Sequence, residues 1–163
     1  MNRITLLECL RDETLSATRD LIMPVATQKG DKGPESRAAE VYLTRLPDSS
    51  AAKKKAPYVL HQVITGKDVQ PSGQRATSEA TIRTIFCVYN SDEQEGGLML
   101  LNLMERLRIH LLKKGVIGKQ FTLDLQAGME ALVYPEDTAP YYAGEMMSTW
   151  TLPAVEREVS PWL

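Results

Sequence analysis

Thirteen residues, "SEATIRTIFCVYN" (Ser78–Asn90), constrain the fold of this chain more than any others. Ile82, Thr84, Phe86 and Val88 recur at every second position, with Arg83, Ile85, Cys87 and Tyr89 between them. A period of two is that of a β-strand, whose side chains alternate between the two faces of a sheet. Towards Asn90 both sets become apolar or aromatic, so the strand needs cover on both faces. A helix or a second subunit could supply the second cover. Any fold open to the chain must therefore build a sheet around this segment.

The same alternation runs through "GEMMSTWTL". Gly144, Met146, Ser148, Trp150 and Leu152 share one side, and Glu145, Met147, Thr149 and Thr151 the other. Met146, Trp150 and Leu152 are thereby placed in a core, while Tyr141, Tyr142 and Met147 are left over. Shorter strand patterns occur at "RAAEVYLTRL", which ends at Pro47, and at "PYVLHQVITG", "KQFTLDLQ" and "EALVYP". The polar stretches "PDSSAAKKKAP" and "KDVQPSGQRA" read as loops between the early strands. Adjacent strands joined by short polar loops predict an antiparallel meander.

Two segments have helical patterning. Residues 4–23 carry Leu7, Leu10 and Leu15 and meet Pro24, where a helix should stop. The polar linker "ATQKGDKGPES" follows. After the acidic "SDEQEGG" comes "LMLLNLMERLRIHLLKKG", in which Leu100, Leu103, Met104, Leu107 and Leu111 form one stripe. Lys113 and Lys114 suit the negative C-terminal end of that helix, and Gly115 supplies its cap. Burying the five apolar side chains contributes on the order of 8 to 15 kcal/mol gross, so this helix lies on the sheet. The order is helix, three strands, helix, three strands, without internal repeat. That is an α+β layout, a largely antiparallel sheet with an N-terminal and a central amphipathic helix packed on it. A length of 163 residues fits a single domain spanning 1–163, with an extended tail at 154–163 where "AVEREVSPWL" has too little pattern to form an element.

A formal net charge of −2, from 19 basic against 21 acidic residues, speaks against sequence-specific nucleic-acid binding. No apolar run reaches the roughly 20 residues needed to span a bilayer. The opening "MNRITLLECLRDE" meets acidic residues too early for a secretory signal, so cytoplasmic folding is expected. Cys9 and Cys87 are too few for a metal site, and Cys87 reads as a small buried side chain. His61 reads as a half-buried strand residue and His110 as a solvated helix residue, neither at a metal-ligand spacing. The glycine pair in "EGG" reads as a strand-to-helix turn, and Glu136 and Asp137 as a solvated loop. There is no nucleophile elbow and no phosphate or dinucleotide loop. No catalytic, cofactor-binding or metal-binding residue is expected, and the chain does not read as an enzyme.

Aromatic side chains and methionine concentrate at interfaces, where they bury much area at low entropic cost. Tyr141 and Tyr142 follow a proline, as do Trp162 and Leu163 in "PWL". A groove on the same chain or on a neighbour would house these groups equally well.

Three features in order give the chain a family likeness. They are the helix "LLNLMERLRIHLL" after a strand ending "VYN", the strand "FTLDL", and the ending "PYYAGEMMSTWTLPAVER". Over Pro57 to Glu158 the sequence resembles the tail terminator and tail-completion proteins of long-tailed phages and phage-derived particles. The resemblance implies a ring, usually of six copies, that caps the tail tube, stops its growth and offers its other face to the head-side connector. The implied partners are further copies of the chain, the tube protein, a head-side connector or neck protein and, in a contractile tail, the sheath protein. No cofactor is implied. The implied location is the virion, at the tail end or neck, after assembly in the bacterial cytoplasm.

On this basis the loops Lys67–Ala76 and Asp48–Ala56 are candidates for reaching neighbouring rings. Candidate ring or tube contacts are Lys53, Lys54, Lys55, Gln70, Pro71, Ser72, Gly73, Gln74, Tyr141, Tyr142, Met147, Trp162 and Leu163. For the lysines the alternative is a solvated loop tip that keeps an edge strand from mispairing. Competing readings are a head-closure or neck connector, a scaffold subunit that shares only the fold, and a small α+β enzyme or ligand-binding protein.

Overall fold

The computed structural model describes residues 2–26, 36–47, 55–135 and 138–158. Along the chain run α1 (Arg3–Thr18), β1 (Met23–Pro24), β2 (Ser36–Arg37), β3 (Glu40–Leu43), β4 (Tyr58–Val69) and β5 (Thr77–Tyr89). Then follow α2 (Glu93–Lys114), β6 (Val116–Ile117), β7 (Phe121–Leu123), β8 (Glu130–Val133) and β9 (Tyr141–Leu152). The arrangement is α+β, with mostly antiparallel strands in one large sheet and two helices on one of its faces.

The alternations in β5 and β9 fall as their sequences require. The two strands pair antiparallel along their whole length, from Ser78 opposite Leu152 to Tyr89 opposite Tyr141. Ile82, Thr84, Phe86 and Val88 are buried on the helix side, together with Met146, Ser148, Trp150 and Leu152. β9 is bordered on its other side by β8 and β7, each alongside a different stretch of it.

α2 buries all five residues of its predicted stripe, and Gly115 closes it at φ 68. It begins a turn before the glycine pair, because Asp92 caps it and accepts hydrogen bonds from Gln94 N at 3.0 Å and Glu95 N at 3.2 Å. Gly96 therefore lies inside the helix, pressed against the ring of Tyr142.

α1 is shorter than the expected 4–23. Its buried side is Leu6, Leu7, Leu10, Thr14 and Thr18, a stripe that leaves Leu15 42% exposed. Beyond Thr18 the backbone turns, and Met23 is fully buried in the core while β1 pairs with β2. Continuing the helix would have carried Met23 away from that site.

The expected meander holds for β4 and β5 but not for β3. β3 runs parallel to β4, with Glu40 opposite Tyr58 and Leu43 opposite His61; of the residues in "RAAEVYLTRL" four pair in β3, while Arg37 belongs to β2 and pairs with Met23. Parallel neighbours need a long return, and this one places Leu46 and Ala56 in a second apolar cluster with Tyr58, Leu60 and Cys87. The second cover for β5 is thus supplied at one end by this connection. Residues 48–54 lie outside the described residues.

β4 also runs further than expected. Lys67, Asp68 and Val69 pair with Glu79, Ser78 and Thr77, so the predicted loop Lys67–Ala76 shrinks to residues 70–76 at a hairpin tip. Arg3 at the start of α1 lies across this arm, over Gly66, and donates to the carbonyl of Glu79 at 3.1 Å.

Candidate assembly surface

β4, β5 and β9 form a ribbon whose central strand pairing spans the twelve residues of β9. At about 3.3 Å per residue its two ends lie roughly 36 Å apart. The candidate contact residues among those described divide between these ends, with one between them.

At the first end is the hairpin tip. Gln70 to Gln74 are all exposed, the turn is closed by Gln74 N donating to Pro71 O at 3.0 Å, and Gly73 takes φ 73. The segment after β9 returns to the same place. Gln70, Gln74 and Arg75 face Glu156 and Arg157 across an open groove of about 510 Å³. This end is polar and carries both signs of charge.

The opposite end is aromatic. Tyr141 packs on Tyr89 with ring centroids 5.4 Å apart. Tyr142 points to the other face and rests on Gly96, so it is held within its own subunit. Where the chain leaves β8, Tyr58, Cys87, Gly97, Tyr134, Tyr141 and Tyr142 line a cavity of about 320 Å³. Burial raises the Tyr58 phenol, as do its neighbours Cys87 and Tyr134, so it stays protonated. Lys55, three residues ahead of Tyr58, is half-buried, and its carbonyl accepts from Arg37 Nη2 at 2.6 Å. Lys53, Lys54, Trp162 and Leu163, like Glu136 and Asp137, lie outside the described residues.

Between the ends the sheet face away from the helices is only half-covered. Met147 sits there between Arg83 of β5 and Glu130 of β8. Arg83 pairs with Glu145 at 3.0 Å, and Thr81 faces Thr149 at 3.5 Å. Burial raises the Tyr134 phenol, and neighbouring Glu145 adds to the effect. Ile85 packs at the margin of the second cluster, and Leu132 is exposed. This strip is a mixed surface with small apolar areas.

Periodicity did not reveal two polar clusters. His61 is fully buried rather than half-buried, with Nε2 2.8 Å from Thr14 Oγ1 and Nδ1 2.8 Å from Thr84 Oγ1. Thr14 spends its proton on Leu10 O at 2.6 Å, so it accepts from Nε2–H, and Thr84 donates to Nδ1. Burial lowers the His61 pKa to about 3, leaving the ring neutral. His110 is half-buried rather than fully solvated. It meets Glu13 at 2.5 Å, and Lys114 reaches the same carboxylate at 3.0 Å. Burial alone would raise the Glu13 pKa, but the hydrogen bonds from His110 and Lys114 outweigh it and lower it. Both clusters join residues far apart in sequence, so only tertiary contact could show them.

Among the described residues no group of three or more His, Cys, Asp or Glu side chains could hold a metal ion, and no helix is long and apolar enough to cross a membrane. The chain matches no known family model and no curated protein. What the geometry offers chemically is contact surface of two kinds, a polar groove at one end of the ribbon and a tyrosine-lined cavity at the other.

Proposed function

We propose that this chain is a ring-forming tail terminator of a long-tailed phage or phage-derived particle, capping the tail tube and presenting a joining surface to the head side. The reading begins from the resemblance over Pro57 to Glu158. The observation that carries it is the separation of two unlike surfaces by the full length of one ribbon. A subunit that ends a tube must bind the last tube ring with one surface and offer a different one outward, or stacking would continue. Helices on one sheet face and a half-covered strip on the other leave lateral surfaces for neighbours, and a head-to-tail contact closes into a ring when its rotation divides the circle. On this reading the chain acts without turnover or cofactor and resides in the virion.

The test is growth of tubes from purified tube protein, followed by electron microscopy with and without the chain. Tubes should stop lengthening and carry a ring at one tip. Replacing residues 70–76 with Asn-Gly should keep the subunit folded, since Val69 and Thr77 already pair and a two-residue loop can close them. The shortened hairpin should cap poorly. Tubes that lengthen unchanged, with no chain bound, would refute the proposal. Attachment to portal-bearing heads in place of tubes would instead assign the same surfaces to a neck protein.

A further inference from the structure

We propose that β3 of one copy pairs antiparallel with β8 of the next, so that the large sheet runs on from subunit to subunit. The inference rests on the ring reading and names the contact through which the ring closes. Both strands are edges. β3 ends the sheet beyond β4, and β8 borders β9 on the side away from β5. Among the described residues neither outer edge is paired. Such an edge is a template for another strand unless lysine, proline or a bulge blunts it. Each of these strands is four residues long, begins with a glutamate and is otherwise uncharged, with no proline or bulge. Leu132 is 51% and Val133 43% exposed, while Val41, Tyr42 and Leu43 are half-buried.

Direction, register and face all match. Glu40 N donates to Pro57 O at 3.2 Å and Thr44 N to His61 O at 2.8 Å, so Glu40, Tyr42 and Thr44 face β4. The alternate residues Val41 and Leu43 direct their backbone groups outward. Tyr134 N donates to Ala143 O at 3.1 Å, which sets Leu132 and Glu130 toward β9 and turns Val133 and Ala131 outward. β4 and β9 each oppose β5, so β8 runs against β3. Rotation about an axis along the strands preserves these directions and brings β8 of one copy antiparallel to β3 of the next. Across the sheet Val41 is level with Val59, Phe86, Gly144 and Val133, and Leu43 with His61, Thr84, Met146 and Ala131. Without any shift along the axis, Val41 meets Val133 and Leu43 meets Ala131, each a pair that exchanges two backbone bonds. Leu43 O already accepts from Arg45 N at 2.8 Å and uses its second lone pair. Val41 and Leu43 pack on the helix-side core, the face of Gly144 and Met146, while Tyr42 meets Leu132 on the other face. A two-fold pairing of β3 with β3 would instead set opposite ribbon ends side by side and leave Leu132 uncovered. The rotational pairing keeps the polar groove on one rim and the aromatic end on the other.

Cysteine cross-linking reads this register directly. Within a subunit β4, β5 and β9 separate Val41 from Val133, too far for a disulfide. Across the proposed contact their Cα atoms are about 5.5 Å apart, within disulfide range. The double variant Val41→Cys/Val133→Cys, oxidised at high concentration, should give a ladder of linked species on a non-reducing gel. An equimolar mixture of the two single variants should stop at a covalent dimer, and neither alone should cross-link beyond the wild type. Val133→Pro deletes one outward N–H while keeping every β8–β9 bond, and should weaken association about tenfold by sedimentation. Circular dichroism would show each variant folded. A double variant without a ladder, Val41→Cys linking to itself, or Val133→Pro associating as the wild type does would overturn the proposal. A ladder from a chain that ignores tubes sustains this pairing and refutes the terminator, and tube capping by a chain that gives no ladder does the reverse.

Discussion

Acid should loosen this protein through one buried ring. His61 has no exposed surface, and its two nitrogens are committed to Thr14 and Thr84. A second proton on Nδ1 would face the Thr84 hydroxyl, which would then have to turn and accept. Burial holds the folded pKa at about 3, against 6.5 for a free imidazole. Between those values the unfolded chain takes up a proton that the folded chain refuses, so stability falls as pH falls. The contribution is whole above pH 6.5, and the loss ends near pH 3. The difference of 3.5 units corresponds to roughly 4 to 5 kcal/mol in all, at about 1.4 kcal/mol per pH unit. For a domain stable by about 5 to 15 kcal/mol that is a large share.

Urea unfolding of the wild type and of His61→Leu, at steps between pH 7 and pH 4.5, isolates the effect. In this window carboxylates contribute little, and His110 with its partners Glu13 and Lys114 is common to both proteins. His61→Leu should start about 1 to 3 kcal/mol less stable at pH 7, because the Thr84 hydroxyl loses its acceptor. It should then lose much less on acidification, so that the two stabilities converge. Parallel curves, with the same slope in both proteins, would refute the assignment of the slope to His61. Below pH 4.5 both should weaken further, since Glu13 is held below its usual range by His110 and Lys114 and must be protonated.

The glycine pair at the start of α2 should respond in opposite senses. Gly96→Ala puts a methyl 2.1 Å from the Tyr142 ring and should cost about 1 to 3 kcal/mol by chemical denaturation. Gly97→Ala meets nothing and should stabilise by about 0.5 to 1 kcal/mol. Asp92→Ala removes the acceptor for Gln94 N and Glu95 N and should cost about 1 kcal/mol, read as a lower midpoint with unchanged denaturant slope. Met147→Lys, on the half-covered face beside Arg83 and Glu130, should change subunit stability by less than about 1 kcal/mol. If that face is covered in the assembly, the same substitution should dissociate it, as sedimentation would show.

Periodicity reads which side of a strand or helix each residue takes, because that depends only on local geometry. The core faces of β5, β9 and α2 were legible for this reason, down to Trp150 and the five-residue stripe of the helix. Pairing is not local. The parallel placement of β3 depends on where the return through Leu46 and Ala56 packs, and no pattern within β3 encodes it. Candidate contact residues were found by elimination, as aromatics left over after the strands were filled, and that route has a specific weakness. Tyr141 and Tyr142 are neighbours in sequence, yet they take opposite faces, one packed on Tyr89 and the other on Gly96. Tyr142 fits inside its own subunit because Gly96, read as part of a turn, sits in a helix and leaves the space that a methyl would fill. An apparently surplus aromatic is here matched by an apparently surplus glycine elsewhere, and the pair becomes visible only when both elements are placed. The cavity beside it is hidden for a related reason. Its walls come from β4, β5, α2, the end of β8 and β9, so the space they enclose belongs to no one segment and no single pattern shows it.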